Sequence, residues 1–257
     1  MLAKSRYDKI CQIINSNGAV TTARLVKEFG VSVETIRRDL LFLENKGMLT
    51  RVHGGAVGIA DMKVYSALEE RNMEFVEQKA VLCDNALAFI DEGDVIAIDT
   101  GSTAICLAKA IRERFSKLTV VTHSLDVLKI LEENKGIELI LCGGHYHSAE
   151  RTFCGSMVID ALEKIHVQKA FIFPVAVSLE FGICEYRDNF GMIQRQMAKC
   201  ADKVFILADS SKFEKKSLLK MSDMKSEYCY ITDNEISDDL IKLYEENNIN
   251  IVKGREI

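Results

Sequence analysis

Two adjacent arginines, Arg37 and Arg38, stand in the stretch VSVETIRRDL, residues 31–40, between hydroxyls and aliphatics. A guanidinium can bond a guanine edge bidentately, a threonine can touch a thymine methyl, and a helix N-terminus favours phosphate. Ser32, Val33, Glu34, Thr35, Arg37 and Arg38 are therefore candidate contacts to a nucleic acid. A second set of residues suits a smaller anion. DTGST, from Asp99 to Thr103, ends an apolar run and opens a helical pattern, so its amides and hydroxyls can cradle a phosphate. Gly101 permits close approach, Ser102 and Thr103 donate, and Asp99 accepts from sugar hydroxyls or from loop amides. Lys212, in DSSKF, is the mobile cation that an anionic ligand needs, and the loop residue Arg151 has the chemistry to close over a phosphate. Each feature also has a plain structural counterpart: a solvated arginine pair, a tight strand-to-helix turn, a surface lysine.

The elements around the arginines decide their reading. Tyr7, Ile10, Cys11 and Ile14 follow helical spacing, with a stop at Asn17-Gly18. Thr21 and Thr22 can cap a second short helix with Leu25, Val26 and Phe29 inward, ended by Gly30. Ser32 caps a third, whose Ile36, Leu40 and Leu43 face inward and which Gly47 closes. This order is a helix-turn-helix, with the third helix placed to enter a major groove. LTRVHGGAV then alternates around Gly54-Gly55, as a β-hairpin wing carrying Arg51 and His53 towards the DNA backbone.

Residues 61–90 read as helical, with no Pro or Gly between Asp61 and Asp91, and form a stiff junction. Beyond it, VIAI (95–98), LTVVT (118–122), IELILC (137–142), KAFIF (169–173), KVFILA (203–208) and CYIT (229–232) read as buried strands alternating with helices. One helix spans 125–134, and another shows Ile193, Met197 and Cys200 on one face. Such alternation implies a mostly parallel sheet covered on both sides, with ligands bound beyond the carboxyl strand ends where strand order switches. DTGST, THS with Ser124, Gly143-Gly144 and DSSKF all sit at those ends. GGHYHSAERTFCG, after the third strand, reads as a loop. Its His145 and His147 would share a face only on a strand, and no third His is near in sequence, so no metal is expected. No cofactor is expected either. The fold class is α/β: an N-terminal winged helix-turn-helix over 1–57, a helical junction over 58–78, and a Rossmann-like effector-binding and oligomerisation domain over 79–257.

Composition agrees with this division. A chain of 257 residues exceeds one small core, and 48% apolar with 28% charged residues is the balance of an ordinary globular protein. No apolar run reaches the roughly 18 residues of a membrane span, and MLAKSRYDKI lacks the apolar core of a signal peptide. Eight cysteines are scattered without CxxC spacing and read as reduced core thiols of a cytoplasmic protein with no membrane partner. The net charge of −5 divides into +4 through Val57 and −9 beyond it. A basic head on an acidic body suits a protein whose head alone meets a polyanion.

The segment from Arg6 to Ala56, with TIRRDL followed by RVHGGA, resembles the N-terminal signature of the DeoR family of bacterial transcriptional repressors. The series R…K…DTGST…TVVTHS…LCGG…AFIF…ADSSKF is similar in order and spacing to the effector-binding half of that family, which shares its fold with ribose-5-phosphate isomerase and glucosamine-6-phosphate deaminase. The resemblance implies double-stranded operator DNA as one partner and a phosphorylated sugar or related metabolite as the other. It further implies release of DNA by that effector, control of a carbohydrate-metabolism operon, and a homo-oligomer, dimer or tetramer. Position by position it places Asp99, Gly101, Ser102, Thr103, Ser124, Gly143, Gly144 and Lys212 in the effector pocket. There are departures. His123 stands where Asn is common, FPVAVSLEFGICEY lacks a glycine-rich run, and Phe190 and Met192 lie near positions where acidic residues are common. His123 and His145 are expected to be structural or solvent-facing.

Two rivals remain. A sugar-phosphate isomerase or deaminase with an added DNA-binding head needs a carboxylate beside the substrate carbonyl. Asp99, Glu180 and Glu185 are available, and no motif forces any of them there. A nucleoid-type protein would show steep salt dependence with little discrimination between DNA sequences.

Overall fold

The computed structural model describes residues 3–17, 19–45, 48–52, 54–58 and 67–253. The expected helix stops at Gly18 and Gly47 and the wing residue His53 lie outside the described residues.

The N-terminal unit runs α1 (Ala3–Asn17), β1 (Ala19–Thr21), α2 (Thr22–Phe29), α3 (Val33–Asn45), β2 (Leu49–Val52) and β3 (Gly55–Gly58). Ile10, Ile14, Leu25, Ile36, Leu40 and Leu43 form its core, as their spacing requires. Thr21 caps α2 by accepting from the Arg24 amide at 3.2 Å, and Gly30 closes it in the left-handed region. Ser32 starts α3 by accepting from the Thr35 amide, also at 3.2 Å. β2 and β3 make the wing, and β1, unforeseen in the sequence, pairs antiparallel with β3. That third strand accounts for the glycine pair. Gly54 turns the hairpin at φ 85°, while a Cβ on Gly55 would lie 2.2 Å from the Val20 carbonyl oxygen. A buried ion pair ties α1 to α3: Arg6 Nε and Nη2 donate to the Asp39 carboxylate at 2.5 and 2.9 Å. Asp39 thus faces inward from RRDL, beside the core residue Leu40.

Of the helix expected over 61–90, residues 61–66 lie outside the described residues, and the rest forms α4 (Leu68–Met73) and α5 (Val76–Leu87) in place of one continuous helix. The helix breaks at Phe75, which sits in the left-handed region at φ 51°. The boundary placed after residue 78 falls inside α5, whose Leu82, Cys83, Ala86 and Leu87 pack into the body's core. The chain continues through β4 (Val95–Ile98), α6 (Ser102–Arg114), β5 (Leu118–Thr122), α7 (Leu125–Leu131) and β6 (Ile137–Leu141). Next come β7 (His145–His147), β8 (Thr152–Cys154), α8 (Ser156–Leu162), β9 (Val167–Ile172), β10 (Ala176–Ser178) and β11 (Gly182–Glu185). It ends with α9 (Asp188–Lys199), β12 (Ala201–Leu207), β13 (Leu219–Ser222), β14 (Cys229–Ile231), α10 (Asp238–Glu246) and β15 (Ile251–Val252).

Seven of these strands form a parallel sheet in the order β15-β14-β12-β9-β4-β5-β6. Side chains alternate across it. Ile96, Ile98 and Phe171 face the layer of α5, α6 and α7, while Ala97, Ala170 and Ile172 face Val158, Ile193, Met197 and Tyr244 on the other side. The order switches at β4, so the carboxyl ends of β4 and β9 flank a crevice. Two stretches differ from expectation. GGHYHSAERTFCG is a hairpin rather than a loop: β7 and β8 pair antiparallel around a 3-10 turn, Ser148–Glu150, so His145 and His147 do share a strand. Within FPVAVSLEFGICEY lie β10 and β11, which join β13 in a small antiparallel sheet. Among the described residues no group of three His, Cys, Asp or Glu side chains is arranged to hold a metal, and no helix is long and apolar enough to cross a membrane.

The Arg6–Asp39 pair, with side chains 9% and 5% exposed, makes a test of the head. Removing one partner strands a buried charge, so Asp39→Asn or Arg6→Met is expected to cost roughly 3–5 kcal/mol in urea unfolding. A loss below about 1 kcal/mol, the range of exposed pairs, would refute the assignment.

Candidate functional site

The first two turns of α3 face solvent. Ser32, Val33, Glu34, Arg37 and Arg38 are exposed and Thr35 is half-buried. The hydroxyls of Ser32 and Thr35 lie 2.9 Å apart, so Thr35 is held at the helix start. Arg37 lies 3.7 Å from Glu34 with both side chains about two-thirds exposed, a pair too open to hold the guanidinium away from a partner. Arg38 has no ion-pair partner among the described residues. Arg51 differs from expectation. Its amide and Nε donate to the Glu44 carboxylate at 2.8 and 2.7 Å, and these bonds, the amide's above all, hold that carboxyl below its usual range. Arg51 therefore braces the wing on α3, leaving 40% of its side chain exposed.

At the crevice, Gly101 takes φ 114° and starts α6, with Ser102 half-buried and Thr103 buried in its first turn. The amides of that turn have no helical acceptor and suit an anion. Thr100 Oγ1, buried in the same loop, has no hydrogen-bond partner among the described residues. Three cations gather here. Arg71 of α4 lies over the loop, its Nη1 3.7 Å from where a Gly101 Cβ would stand. Lys79 of α5 donates to the carbonyls of Arg71 and Glu74, the latter at 2.6 Å. Lys212 donates to the Pro174 carbonyl at 3.2 Å and lies 3.8 Å from Asp209. Burial pushes the amines of Lys79 and Lys212 down, and the neighbouring cations push further, with Asp209 opposing. An incoming dianion would relieve that crowding.

Beneath the loop lies a buried polar network. Asp99 is 1% exposed. It accepts from Gln194 Nε2 at 2.9 Å and the Phe173 amide at 3.3 Å, and His123 Nε2 is 3.0 Å from its other oxygen. Its oxygens are engaged by protein groups, and the bond from the Phe173 amide is the loop-amide acceptance expected of it. His123 is structural, with Nδ1 2.8 Å from the Phe153 carbonyl oxygen. Gln194 also donates to Glu185 at 3.0 Å. Burial, with the Asp99 charge adding, pushes the Glu185 carboxyl up to about 7 against the opposing Tyr186 amide. Glu180 is exposed and pairs with Lys216 at 2.5 Å. None of the three carboxylates is thus presented to the crevice as a base.

Other expected pocket residues are placed differently. Ser124 is buried and caps α7 by accepting from the Val127 amide at 3.3 Å. Gly144 lets the hairpin fold back, since a Cβ there would come within 2.7 Å of the Cys154 carbonyl oxygen, whereas Gly143 is exposed beside open space. Arg151, at φ 48°, turns outward and its Nε donates to Asp126 at 2.7 Å, in a cleft bordered by α4, α6 and α7. Its neighbour Glu150 turns inward instead and pairs with Arg71. Phe190 is buried with its ring edge-on to His147, 5.7 Å between centroids, and Met192 is 41% exposed. Arg71 and Lys79 were not among the sequence candidates; no local motif marks them, and only the R…K… spacing of the family series touches them.

Residues 6–61 match the DeoR-like helix-turn-helix domain, and residues 74–234 match the DeoR C terminal sensor domain. The chain belongs to the DeoR family. This DeoR-family protein is 34% identical over 240 residues to the lactose phosphotransferase system repressor of Lactococcus lactis subsp. lactis, covering 92% of this chain and 93% of that one. It is 30% identical over 246 residues to the HTH-type transcriptional regulator GolR of Listeria innocua serovar 6a, covering 96% of each. Ribose 5 phosphate isomerase A from Neisseria gonorrhoeae superposes at a TM-score of 0.40 with 16% identity over 53% of each chain, a likeness that adds nothing to the sheet order itself. The DeoR-family protein is a DNA-binding transcriptional regulator and not an enzyme.

The Glu185 carboxyl yields a pH prediction. It keeps its proton in the fold up to about pH 7, while the unfolded chain releases it near 4.5. Stability therefore falls as pH rises from about 4.5 to 7, and the penalty is complete above 7. Glu185→Gln removes a penalty on the order of 3 kcal/mol at pH 8 and little at pH 4. The expected result is a Tm gain over wild type that grows with pH; a gain independent of pH would overturn the reading.

Proposed function

We propose that this regulator represses a carbohydrate-metabolism operon and leaves its operator when a phosphorylated sugar binds the crevice of the body. The observation that carries the reading is the gathering of Arg71, Lys79 and Lys212 around the DTGST loop at the start of α6. A helix N-terminus flanked by three cations suits a phosphoryl group. The relative from Lactococcus lactis, a repressor of a lactose phosphotransferase system by name, fits the same reading. Ser102, Thr103 and Gly101 belong to the cradle, Lys212 to its cationic rim, and Ser32, Val33, Glu34, Thr35, Arg37 and Arg38 to the DNA face. Arg51 reaches the DNA backbone from the wing while remaining on Glu44. The acidic body holds a dimer or tetramer together in the cytoplasm, because one winged head contacts too little DNA for operator selectivity. The effector favours one arrangement of the body and thereby changes how the heads are spaced.

Fluorescence anisotropy on DNA from upstream of the protein's own gene, at fixed salt with unrelated DNA as control and with a panel of sugar phosphates, tests this. Selective binding reversed by one compound is the expected result; binding without discrimination on selected and unrelated DNA alike would favour a nucleoid-type protein. Arg37→Ala or Arg38→Ala is expected to weaken operator binding roughly tenfold or more while sugar-phosphate binding persists. Lys212→Ala or Ser102→Ala is expected to keep operator binding and shift the effector midpoint at least about tenfold upward. A wild-type response in both of these variants would place the pocket elsewhere.

A further inference from the structure

Glu150 is 3% exposed, and its carboxylate is held by the Arg71 guanidinium. A carboxylate so buried requires a cation, and a guanidinium answers it with a single positive charge spread over a fixed fork of donors. Here one arm, Nη2, meets Glu150, while the other, Nη1, faces Gly101 of the phosphate cradle. Resting on the reading of the crevice as a phosphoryl site, we propose that Glu150 is a built-in stand-in for the effector: it occupies Arg71 in the effector-free protein and is displaced when a phosphoryl group enters. The charges favour the exchange. Glu150 brings one negative charge to a rim of three cations, whereas a phosphate ester brings close to two and meets the helix amides as well.

The exchange also has a route out of the pocket. Arg71 lies on α4, the first described element after the wing, and its carbonyl is gripped by Lys79. An anion that draws both cations inward therefore pulls on the end of the segment leading to the head. On the other side, Glu150 closes the 3-10 turn of the β7–β8 hairpin, and the adjacent Arg151 pins that turn to Asp126 of α7. Displacing Glu150 loosens one of the two ion pairs that hold the turn. Glu150 thus sets how much effector is needed before α4 responds.

The test uses the full chain and inorganic phosphate as the probe. Isothermal titration of phosphate into wild type and Glu150→Gln is expected to show about tenfold tighter binding by the variant, since Arg71 no longer has an internal carboxylate to give up. Glu150→Asp, which keeps the charge but withdraws it from Arg71, is expected to tighten binding by less. Should these variants fold poorly, hydrogen exchange on wild type reads the same event: saturating phosphate should protect amides 102–104 and speed exchange over 148–151. Protection at 102–104 with unchanged exchange at 148–151, or equal affinity in all three proteins, overturns the role of Glu150 and leaves the crevice reading standing. No phosphate binding and no protection at 102–104 in any protein overturns both.

Discussion

The loops that shape the crevice are held in register by one buried carboxylate, Asp99, at the carboxyl end of the central strand β4. Its partners come from three other places in the chain: His123 from the end of β5, Phe173 from the end of β9, and Gln194 from α9. A carboxyl group this deep must be satisfied on both oxygens, so the four segments can settle only in mutually compatible positions. The DTGST loop inherits its place from that requirement. So does the hairpin, because His123 also meets the Phe153 carbonyl oxygen and the Thr152 hydroxyl. Side chains buried beneath the loop thereby fix where the loop sits.

Above this network the sign of charge reverses. Asp99 and Glu185 lie beneath the loop, and Arg71, Lys79 and Lys212 stand around it. Burial weakens the hold of both lysines on their protons, and each cation raises the cost of the others. A further anion among them would offset that cost at α4, α5 and the loop that carries Lys212. Binding energy is then available for moving these elements relative to each other, which is what a regulator needs from its ligand.

The head was legible because its determinants are local. Caps at Thr21 and Ser32 and inward residues spaced three or four apart specify three helices within a few turns of chain. β1 escaped notice since three residues, Ala19–Thr21, carry no pattern, and their partner β3 lies more than thirty residues on. Asp39 stands beside two arginines in sequence, yet only the fold shows that it faces Arg6. In the body, apolar runs marked the parallel strands, while the short polar hairpin at 145–154 did not announce itself. Side-chain direction was the main loss. Ser124 follows a strand and precedes a helix, a place that suits a cap and a ligand donor equally, and here it caps. Arg151 and Glu150 are neighbours, and the left-handed backbone at Arg151 sends one outward and the other inward.

The same physics separates a sensor from a catalyst built on this type of sheet. Glu185, with its carboxyl near 7, has the basicity of a general base. It is also 3% exposed, with its oxygens taken by Gln194 and the Tyr186 amide. Basicity without access moves no proton on a substrate. Asp99, Glu180 and Glu185 are engaged by other groups of the protein, and Arg71, Lys79, Lys212 and the hydroxyls of the DTGST loop are the kinds of group that grip an anion. On the reading of the crevice as the effector site, binding energy there is available to redistribute α4 and the elements that lead to the DNA-binding head.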